Sequence, residues 1–379
     1  MTTLTDFAHW IRAAVGGLTL GLLAACSSQP NAPQPAPLGP DPALLGVRQV
    51  WSAQVGAVNF PMTLAVNGNT VFVGDDAGNL SARDASSGAA LWQTAVGAPI
   101  GAGVGSDGRL TSVVTRGNDL VTLAGGQELW RTRLPAQVLT APLVAGARVF
   151  VLAGDRSVTA FDGQTGRKLW SDLHPGDALV LRQSGVLTAV NNTLVVGLAG
   201  RLVGLDPGNG QTLWAVTLAS PRGTNDVERM VDLVSGLGRN GSVVCARAFQ
   251  AAVGCVDAAQ GSALWRQAAT GVAGLHSDDE KVFGVESDGR VMAWKMSDGQ
   301  VAWTSDALRY RQLSTPLVLG RSVVLGDEFG QLHFLSRRDG AVLKRLTTDG
   351  SAVAAAPVVA GNTLVVVTRK GGMFGFQPE

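Results

Sequence analysis

A strand that ends in tryptophan recurs along the chain about every forty residues, and this repeat constrains the fold more than any other feature. The copies end at Trp51, Trp92, Trp130, Trp170, Trp214, Trp265 and Trp303, and Leu343-Lys344 is a degenerate eighth copy. Intervals of this length are typical of the blades of a β-propeller. The repeat therefore predicts a ring of eight blades.

Each unit contains short runs of alternating apolar and polar residues, separated by glycine, asparagine or aspartate. In one unit, Val149-Phe150-Val151 is followed by Val158-Thr159-Ala160-Phe161-Asp162, and Thr165-Gly166 then leads into the strand of Trp170. Such alternation between turn residues indicates β-hairpins. The composition agrees, because 49 of 379 residues are glycine and only 16% are charged. We predict an all-β fold, an eight-bladed β-propeller of four-stranded antiparallel blades, over residues 43–379.

The recurring tryptophans are interpreted as packing residues rather than as a binding site. A side chain that recurs at one position in every blade meets a need common to every blade. We expect each ring to lie between two blades, with its N–H donating to a neighbouring backbone carbonyl, as buried indoles usually do.

The two ends of the repeat region are complementary. The strand around Trp51 has no strands of its own before it, and the last unit, residues 357–376, has no tryptophan strand after it. We expect the N- and C-terminal strands to pair and complete one blade, because this pairing removes an exposed sheet edge.

The N-terminus has the pattern of an export signal. Arg12 precedes an apolar run over residues 13–25, and Cys26 follows it. The run is shorter than the roughly 20 residues of a membrane-spanning helix, and it ends in small residues suited to cleavage. We predict a signal peptide over residues 1–25.

Proline dominates the segment after Cys26. Six prolines lie between Ser27 and Pro42, and they exclude a helix or a sheet interior. At about 3.1 Å per residue in polyproline geometry, this segment would span roughly 50 Å. We predict that residues 26–42 form an extended, solvated tether.

Leu23-Ala24-Ala25-Cys26 resembles the lipobox of bacterial lipoproteins. The resemblance implies that Cys26 is acylated, and several acyl chains hold a protein stably on a bilayer. Ser27 after the cysteine favours the outer membrane by the same resemblance. The alternative is an ordinary signal peptide that is cut near Ala25, with Cys26 incidental.

The segment from Ala160 to Trp170 has the form Ala-x-Asp-x-x-x-Gly-x-x-x-Trp. It resembles the pyrroloquinoline-quinone-type repeat of quinoprotein alcohol dehydrogenases and of the BamB lipoproteins in the outer-membrane β-barrel assembly machinery. With the lipobox and tether, nearly the whole chain resembles the BamB family. The resemblance implies a non-catalytic scaffold in the Bam complex, without cofactor or metal, lipid-anchored at the periplasmic face of the outer membrane. Such a scaffold assists the assembly and insertion of β-barrel proteins, and exposed blade edges could receive nascent strands.

Two less regular segments carry the resemblance further. Residues 177–182 resemble the family's Leu-x-Leu-Arg loop, and residues 225–232 resemble its acidic-Arg-acidic segment. In the family these loops dock a POTRA domain of the barrel-forming subunit BamA. The residues that would bind this partner here are Leu179, Leu181, Arg182, Glu228, Arg229 and Asp232. Val234 replaces the family's second acid, which puts the acidic half in doubt. Without the family, residues 179–181 could be a plain strand and Arg182 a surface charge.

Two cysteines remain in the body of the chain. Cys245 and Cys255 lie on consecutive predicted strands with a turn near Gln250, so they could face one another. A cross-strand disulfide is chemically allowed in an exported protein, and two reduced core thiols are the alternative.

The alternative function is a periplasmic quinoprotein or a propeller that binds a small ligand. Against it, Cys245 and Cys255 are not the vicinal pair typical of quinoprotein dehydrogenases, and His174, His276 and His333 lack metal-ligand spacing. A formal charge of +1 also gives no global attraction to nucleic acid.

Overall fold

The computed structural model describes residues 33–175, 180–221, 224 and 230–379. These residues form eight four-stranded antiparallel sheets arranged as the blades of a propeller, which confirms the predicted fold. No helix long and apolar enough to cross a membrane occurs among them.

The first four blades follow one another along the chain. Blade 1 contains β2 (Ala65–Asn67), β3 (Thr70–Gly74), β4 (Asn79–Asp84) and β5 (Ala90–Ala95). Blade 2 contains β6 (Ile100–Ser106), β7 (Leu110–Thr115), β8 (Asp119–Ala124) and β9 (Gln127–Arg133). Blade 3 contains β10 (Leu143–Ala145), β11 (Arg148–Leu152), β12 (Ser157–Asp162) and β13 (Lys168–Leu173). Blade 4 contains β14 (Leu187–Val190), β15 (Thr193–Leu198), β16 (Arg201–Leu205) and β17 (Thr212–Thr217).

The remaining blades complete the ring. Blade 5 contains β18 (Leu233–Asn240), β19 (Val243–Ala248), β20 (Ala252–Asp257) and β21 (Ser262–Ala268). Blade 6 contains β22 (His276–Ser277), β23 (Lys281–Val285), β24 (Val291–Lys295) and β25 (Val301–Ser305). Blade 7 contains β26 (Leu317–Leu319), β27 (Ser322–Gly326), β28 (Gln331–Ser336) and β29 (Val342–Thr347). Blade 8 contains β30 (Val358–Ala360), β31 (Thr363–Val367) and β32 (Gly372–Pro378), and its fourth strand is β1 (Val47–Gln54).

Blade 8 closes the ring by pairing the two ends of the chain. β1 lies antiparallel to β32, with Trp51 opposite Gly375 and Gln54 opposite Gly372. The predicted pairing of the N- and C-terminal strands is therefore confirmed.

The blades pack through their middle strands. In β3, for example, Val71, Phe72 and Val73 are all buried, because both faces of the sheet are covered by neighbouring blades. In the outermost strand β5, Leu91 is 58% exposed and only alternate residues contact the next blade. The repeated strands are therefore taken up by packing between blades, and the strand ends and loops are the parts most open to a partner.

The repeat tryptophans join each blade to the next. Each lies on the fourth strand of its blade, and five of them donate their indole N–H to a backbone carbonyl of the following blade at 2.7–3.0 Å. These donors are Trp51, Trp130, Trp170, Trp265 and Trp303, and for them the predicted hydrogen bond is confirmed. The indole nitrogen of Trp214 is buried without a partner.

A turn glycine in the following blade makes room for each ring. Gly166 has a φ of +71°, which favours glycine, and a Cβ there would lie 2.6 Å from the ring of Trp130. The same contact recurs at Gly88, Gly126, Gly210, Gly261, Gly299 and Gly340. Tryptophan and glycine thus form one packing unit that spans two blades.

Residues 36–46 lie along blade 7, where a free tether was expected through Pro42. The N–H of Leu44 donates to the carbonyl of Leu343 at 2.8 Å, and that of Arg345 donates to the Asp41 carboxylate at 2.9 Å. The segment stays extended and mostly exposed, but it is bonded to the ring. An extended proline-rich chain can bond in this way because it makes no hydrogen bonds within itself, so its polar groups remain available to the ring.

Candidate partner-binding surface

Two irregular loops connect blades 3, 4 and 5. The blade 3–4 loop comprises residues 174–186, between β13 and β14, and the blade 4–5 loop comprises residues 218–232, between β17 and β18. Four of the residues predicted to act here or at the membrane lie outside the described residues, namely Cys26, Leu179, Glu228 and Arg229. The described contacts that join this region lie within residues 180–186 and 230–235.

The structure brings the two loops together. The backbone N–H of Leu181 donates to the Asp232 carboxylate at 2.7 Å. Close by, Gly185 and Val234 form an antiparallel bridge, and the N–H of Ser235 donates to the carbonyl of Ser184 at 2.9 Å. The loops therefore form one surface, although Leu181 and Asp232 are 51 residues apart in sequence.

Asp232 holds the surface together from within. Its carboxylate accepts the bond from Leu181, and its backbone carbonyl accepts a bond from Phe249 at 2.9 Å. A charged acceptor strengthens such a bond. Asp232 thus positions the blade 3–4 loop, a role that the family motif alone did not indicate.

Leu181 and Arg182 differ in exposure. Leu181 is half-buried above a cavity of about 50 Å³, and Arg182 is exposed to solvent. Apolar side chains from blades 3 to 5 line that cavity, among them Leu139, Leu152, Leu198 and Leu233. The described part of the surface therefore presents a guanidinium beside a leucine that rests on an apolar base.

Val234 lies inside the protein rather than on this surface. Its side chain is 2% exposed, and it faces Arg247 in the ladder between β18 and β19. A carboxylate here would be buried rather than offered to a partner. In this chain the second acidic position contributes to the core of blade 5, and Asp232 is the acid at the described surface.

Cys245 and Cys255 face one another across the β19–β20 ladder, with a Cα–Cα distance of 4.0 Å, and the structure joins them as a disulfide. Both are fully buried, and Cys255 lies opposite Trp265. The pair belongs to the packing of blade 5. That the pair is oxidised in the working protein stays a prediction.

The mouth of the central channel is the place where a ligand-binding propeller would hold its ligand. A cavity of about 580 Å³ lies there, lined by the starts of the first strands and by polar side chains that include Thr63, Thr140, Ser184, Ser235 and Thr315. No charged side chain lines it among the described residues. Within the same ranges, no three His, Cys, Asp or Glu side chains group so that they could hold a metal ion.

The histidines occupy separate environments. His333 is fully buried and its Nε2 lies 3.0 Å from the Asp327 carboxylate. Burial lowers the pKa of His333 despite the bond to Asp327, and burial also lowers the pKa of His276. His174 lies 3.3 Å from Asp172. Each of the three histidines thus contacts other residues of the blades, and the contacts that the structure describes do not join them into a cluster.

A family model described as outer membrane protein assembly factor BamB matches residues 46–100 and 76–305. Among curated proteins, the chain is 38% identical to outer membrane protein assembly factor BamB of Burkholderia pseudomallei (strain K96243), over 94% of this chain and 95% of that protein. It is 32% identical to the protein of the same name from Bordetella pertussis (strain Tohama I), over 94% of each.

Solved structures show the same fold. The crystal structure of BamB from Moraxella catarrhalis matches with a TM-score of 0.80 and 22% identity, over 87% of this chain and 99% of that one. The quinohemoprotein alcohol dehydrogenase of Comamonas testosteroni matches with a TM-score of 0.67 and 15% identity, over 91% and 79%. At these identities the likeness to both structures concerns the fold alone.

Proposed function

Since this chain belongs to the family of outer membrane protein assembly factor BamB, we propose that its paired inter-blade loops dock a POTRA domain of BamA. The chain is an assembly factor of the Bam complex for outer-membrane proteins. The proposal concerns which surface holds the complex together and which residues contribute.

The observation that carries the proposal is the 2.7 Å bond from the Leu181 N–H to the Asp232 carboxylate, beside the exposed Arg182. Irregular loops on a rigid scaffold are common sites of binding. This bond limits the freedom of the blade 3–4 loop before a partner arrives, so less entropy is lost on binding.

The mechanism is non-covalent. The Arg182 guanidinium can bind a carboxylate of the partner through two parallel N–H donors. Leu181 adds apolar contact beside it, and arginine with a neighbouring apolar residue is a frequent centre of binding energy. Leu179, Glu228 and Arg229 would extend the surface, as the family motif implies.

The proposal includes attachment to the periplasmic face of the outer membrane through acylation of Cys26. Its support is the sequence Leu23-Ala24-Ala25-Cys26. Metabolic labelling with palmitate should label the protein, and Cys26→Ala should abolish the label and release the protein from membranes. An unlabelled wild-type protein would contradict the anchor.

Nascent β-strands are a second proposed partner. A fourth strand such as β5 has only one neighbour in its sheet, so its free edge can accept an extended chain by β-augmentation. An extended peptide from an outer-membrane protein should bind the ring, and proline substitutions that remove its N–H donors should weaken binding. Unchanged binding would exclude this mode.

The docking surface can be tested by a pull-down of the periplasmic region of BamA with the lipid-free chain. Arg182→Glu should abolish capture because it reverses the exposed charge, and Asp232→Asn should weaken it because the bond to Leu181 loses its charged acceptor. Arg109→Glu is the matched control, since Arg109 is exposed on the turn between β6 and β7. Equal capture by the Arg182 and Arg109 variants, both folded, would place the interface elsewhere.

The proposed role includes no catalysis. Incubation with pyrroloquinoline quinone and calcium should produce neither a bound-cofactor spectrum nor alcohol-dependent reduction of an electron-accepting dye. Dye reduction above that of a denatured control would instead favour a quinoprotein.

A further inference from the structure

Residues 36–46, here called the strap, cross blade 7 from one face of the ring to the other. At one end the N–H of Ala36 donates to the carbonyl of Arg309, in the blade 6–7 loop of residues 306–316, at 2.9 Å. At the other end the carbonyl of Gly46 accepts a bond from the N–H of Glu379 at 3.0 Å, next to β32. The strap thus continues the closure of the ring along the outer edge of blade 7.

Four basic side chains hold the oxygens of the strap. The pairs are Arg311 with the Ala36 carbonyl at 3.0 Å, Arg345 with the Gly39 carbonyl at 3.0 Å, Lys344 with the Asp41 carboxylate at 3.1 Å, and Arg321 with the Leu44 carbonyl at 2.7 Å. Bonds from charged donors are stronger than neutral ones. Contacts spread over nine residues of an extended chain specify its path and not just one point on it.

Arg311 is also held by contacts within the ring that do not involve the strap. Its Nε donates to the Asp327 carboxylate at 2.8 Å, and its guanidinium lies 4.9 Å from the ring centroid of Phe329. Asp327 is in turn bonded to His333. With Arg311 only 8% exposed, its Nη1 is aimed at the Ala36 carbonyl by its surroundings.

Apolar contacts support the same path. Leu38 packs against the core between blades 6 and 7, which includes Leu308 and Leu313. Leu45 packs against the core between blades 7 and 8, which includes Phe334 and Phe376. The strap is therefore held at both junctions of blade 7.

The blade 6–7 loop lies on the same face of the ring as the surface of Leu181 and Asp232. Ser184 of the blade 3–4 loop and Ser314 of the blade 6–7 loop line the same mouth of the central channel. Blades 5 and 6 separate the blade 4–5 loop from the blade 6–7 loop. The N-terminal end of the strap therefore lies on the same face of the ring as the surface of Leu181 and Asp232, two blades away from it.

We propose that the strap fixes where the anchored N-terminus leaves the ring, and so turns the loop face beside blades 6 and 7 toward the membrane. This inference rests on the proposed acylation of Cys26. Ten residues, Cys26 to Pro35, separate the proposed anchor from the strap in the sequence, and a chain of ten residues reaches at most about 35 Å when fully extended. The partner surface is then held within a limited distance of the bilayer.

The strap itself is tested by hydrogen–deuterium exchange of the full mature chain. Amides of Ala36 and Leu44 should exchange about tenfold or more slowly than in an unstructured peptide. Asp41→Lys should remove this protection, because it loses the bonds to Lys344 and Arg345 and adds repulsion. Asp279→Lys, an exposed acid on the β22–β23 turn, is the control. Exchange at the unstructured rate in the wild type would overturn the strap.

The orientation is tested with acylated protein on vesicles that contain spin-labelled lipid. A fluorophore at Ala307→Cys, in the blade 6–7 loop, should be quenched more than one at Ala259→Cys, in the β20–β21 turn. Both positions are exposed alanines, and they lie on opposite faces because a fourth strand separates such a turn from an inter-blade loop. Asp41→Lys should remove the difference, and Asp279→Lys should keep it.

Equal quenching at both positions in vesicle-bound wild type would overturn the orientation while the exchange result still decides the strap. Failure of the wild type to bind vesicles would overturn the lipid anchor, and the orientation with it. The exchange experiment does not depend on the anchor, so the two failures are distinguishable.

Discussion

Seven junctions between blades are built in one way, and the junction between blades 7 and 8 is built in another. At the seven, a tryptophan on the fourth strand faces a small residue across its own blade and a turn glycine of the next blade, as Trp170 does with Ala160 and Gly210. At the eighth, Lys344 stands in the tryptophan position, and Phe334 stands opposite. At this junction the large aromatic ring, that of Phe334, therefore lies on the third strand, β28, and not on the fourth strand, β29.

The difference follows from how the ring is closed. In the other blades a turn joins the third and fourth strands and supplies the glycine against which the preceding tryptophan packs. In blade 8 those strands are β32 and β1, from opposite ends of the sequence, so no turn joins them. The strap covers this place and binds Lys344 through Asp41. The packing residues thus differ at the junction where the following blade has no turn between its third and fourth strands.

The largest expected effect is at a regular junction. Trp265 is 8% exposed and its N–H donates to the Met296 carbonyl at 2.7 Å. Trp265→Ala should reduce the free energy of unfolding by about 3–5 kcal/mol, measured by urea denaturation. Lys344→Ala at the eighth junction should cost less than about 1 kcal/mol. Equal losses would show that the two junctions do not differ in this way.

The disulfide is the next largest expected effect, and it also belongs to a regular junction because Cys255 faces Trp265. Replacing both Cys245 and Cys255 with alanine should reduce stability by about 2–3 kcal/mol under oxidising conditions, as expected for a short closed loop. Reductant should remove most of the difference between wild type and variant. Two free thiols in the unfolded wild type, measured without reductant, would contradict the bond.

A smaller effect tests whether Phe334 replaces the missing ring. Phe334 is 1% exposed, so Lys344→Trp should overpack the eighth junction and cost about 1–3 kcal/mol. Adding Phe334→Ala to Lys344→Trp should cost less than the sum of the two single changes, since the pair is in contact. Additive losses of stability in the double-mutant cycle would show that positions 334 and 344 do not interact.

The smallest expected effect is a dependence on pH within blade 7. Burial lowers the pKa of His333 below its ordinary value of 6.5, although Asp327 opposes this shift. The unfolded chain therefore takes up a proton first, and stability should be full above pH 6.5 and decline as the pH falls below it. His333→Gln should flatten this decline in melting temperature between pH 7.5 and 5.5, while the contribution of His276 remains. An unchanged slope of melting temperature against pH in this variant would contradict the assignment of the decline to His333.

Parts of the candidate surface were predictable, and parts were not. The loop that contains Leu181 and Arg182 was found from its resemblance to a family motif, and so was Asp232. The hydrogen bond between Leu181 and Asp232 was not predicted, because nothing local in either segment encodes a contact across 51 residues. Val234 was a doubtful position by sequence, and its burial in blade 5 removes it from the surface.

The sequence by itself determined the number of blades, the pairing of the terminal strands and the role of most repeat tryptophans. These features depend on contacts that recur once in every blade, so the repeated pattern reports them directly. Only the tertiary structure decided that residues 36–46 bind blade 7, that Phe334 faces Lys344, and that Asp232 holds Leu181. Each of these contacts occurs once, and the strap and the inter-blade loops join residues far apart in the chain. Such contacts exist only after the ring has closed and brought its unlike parts together.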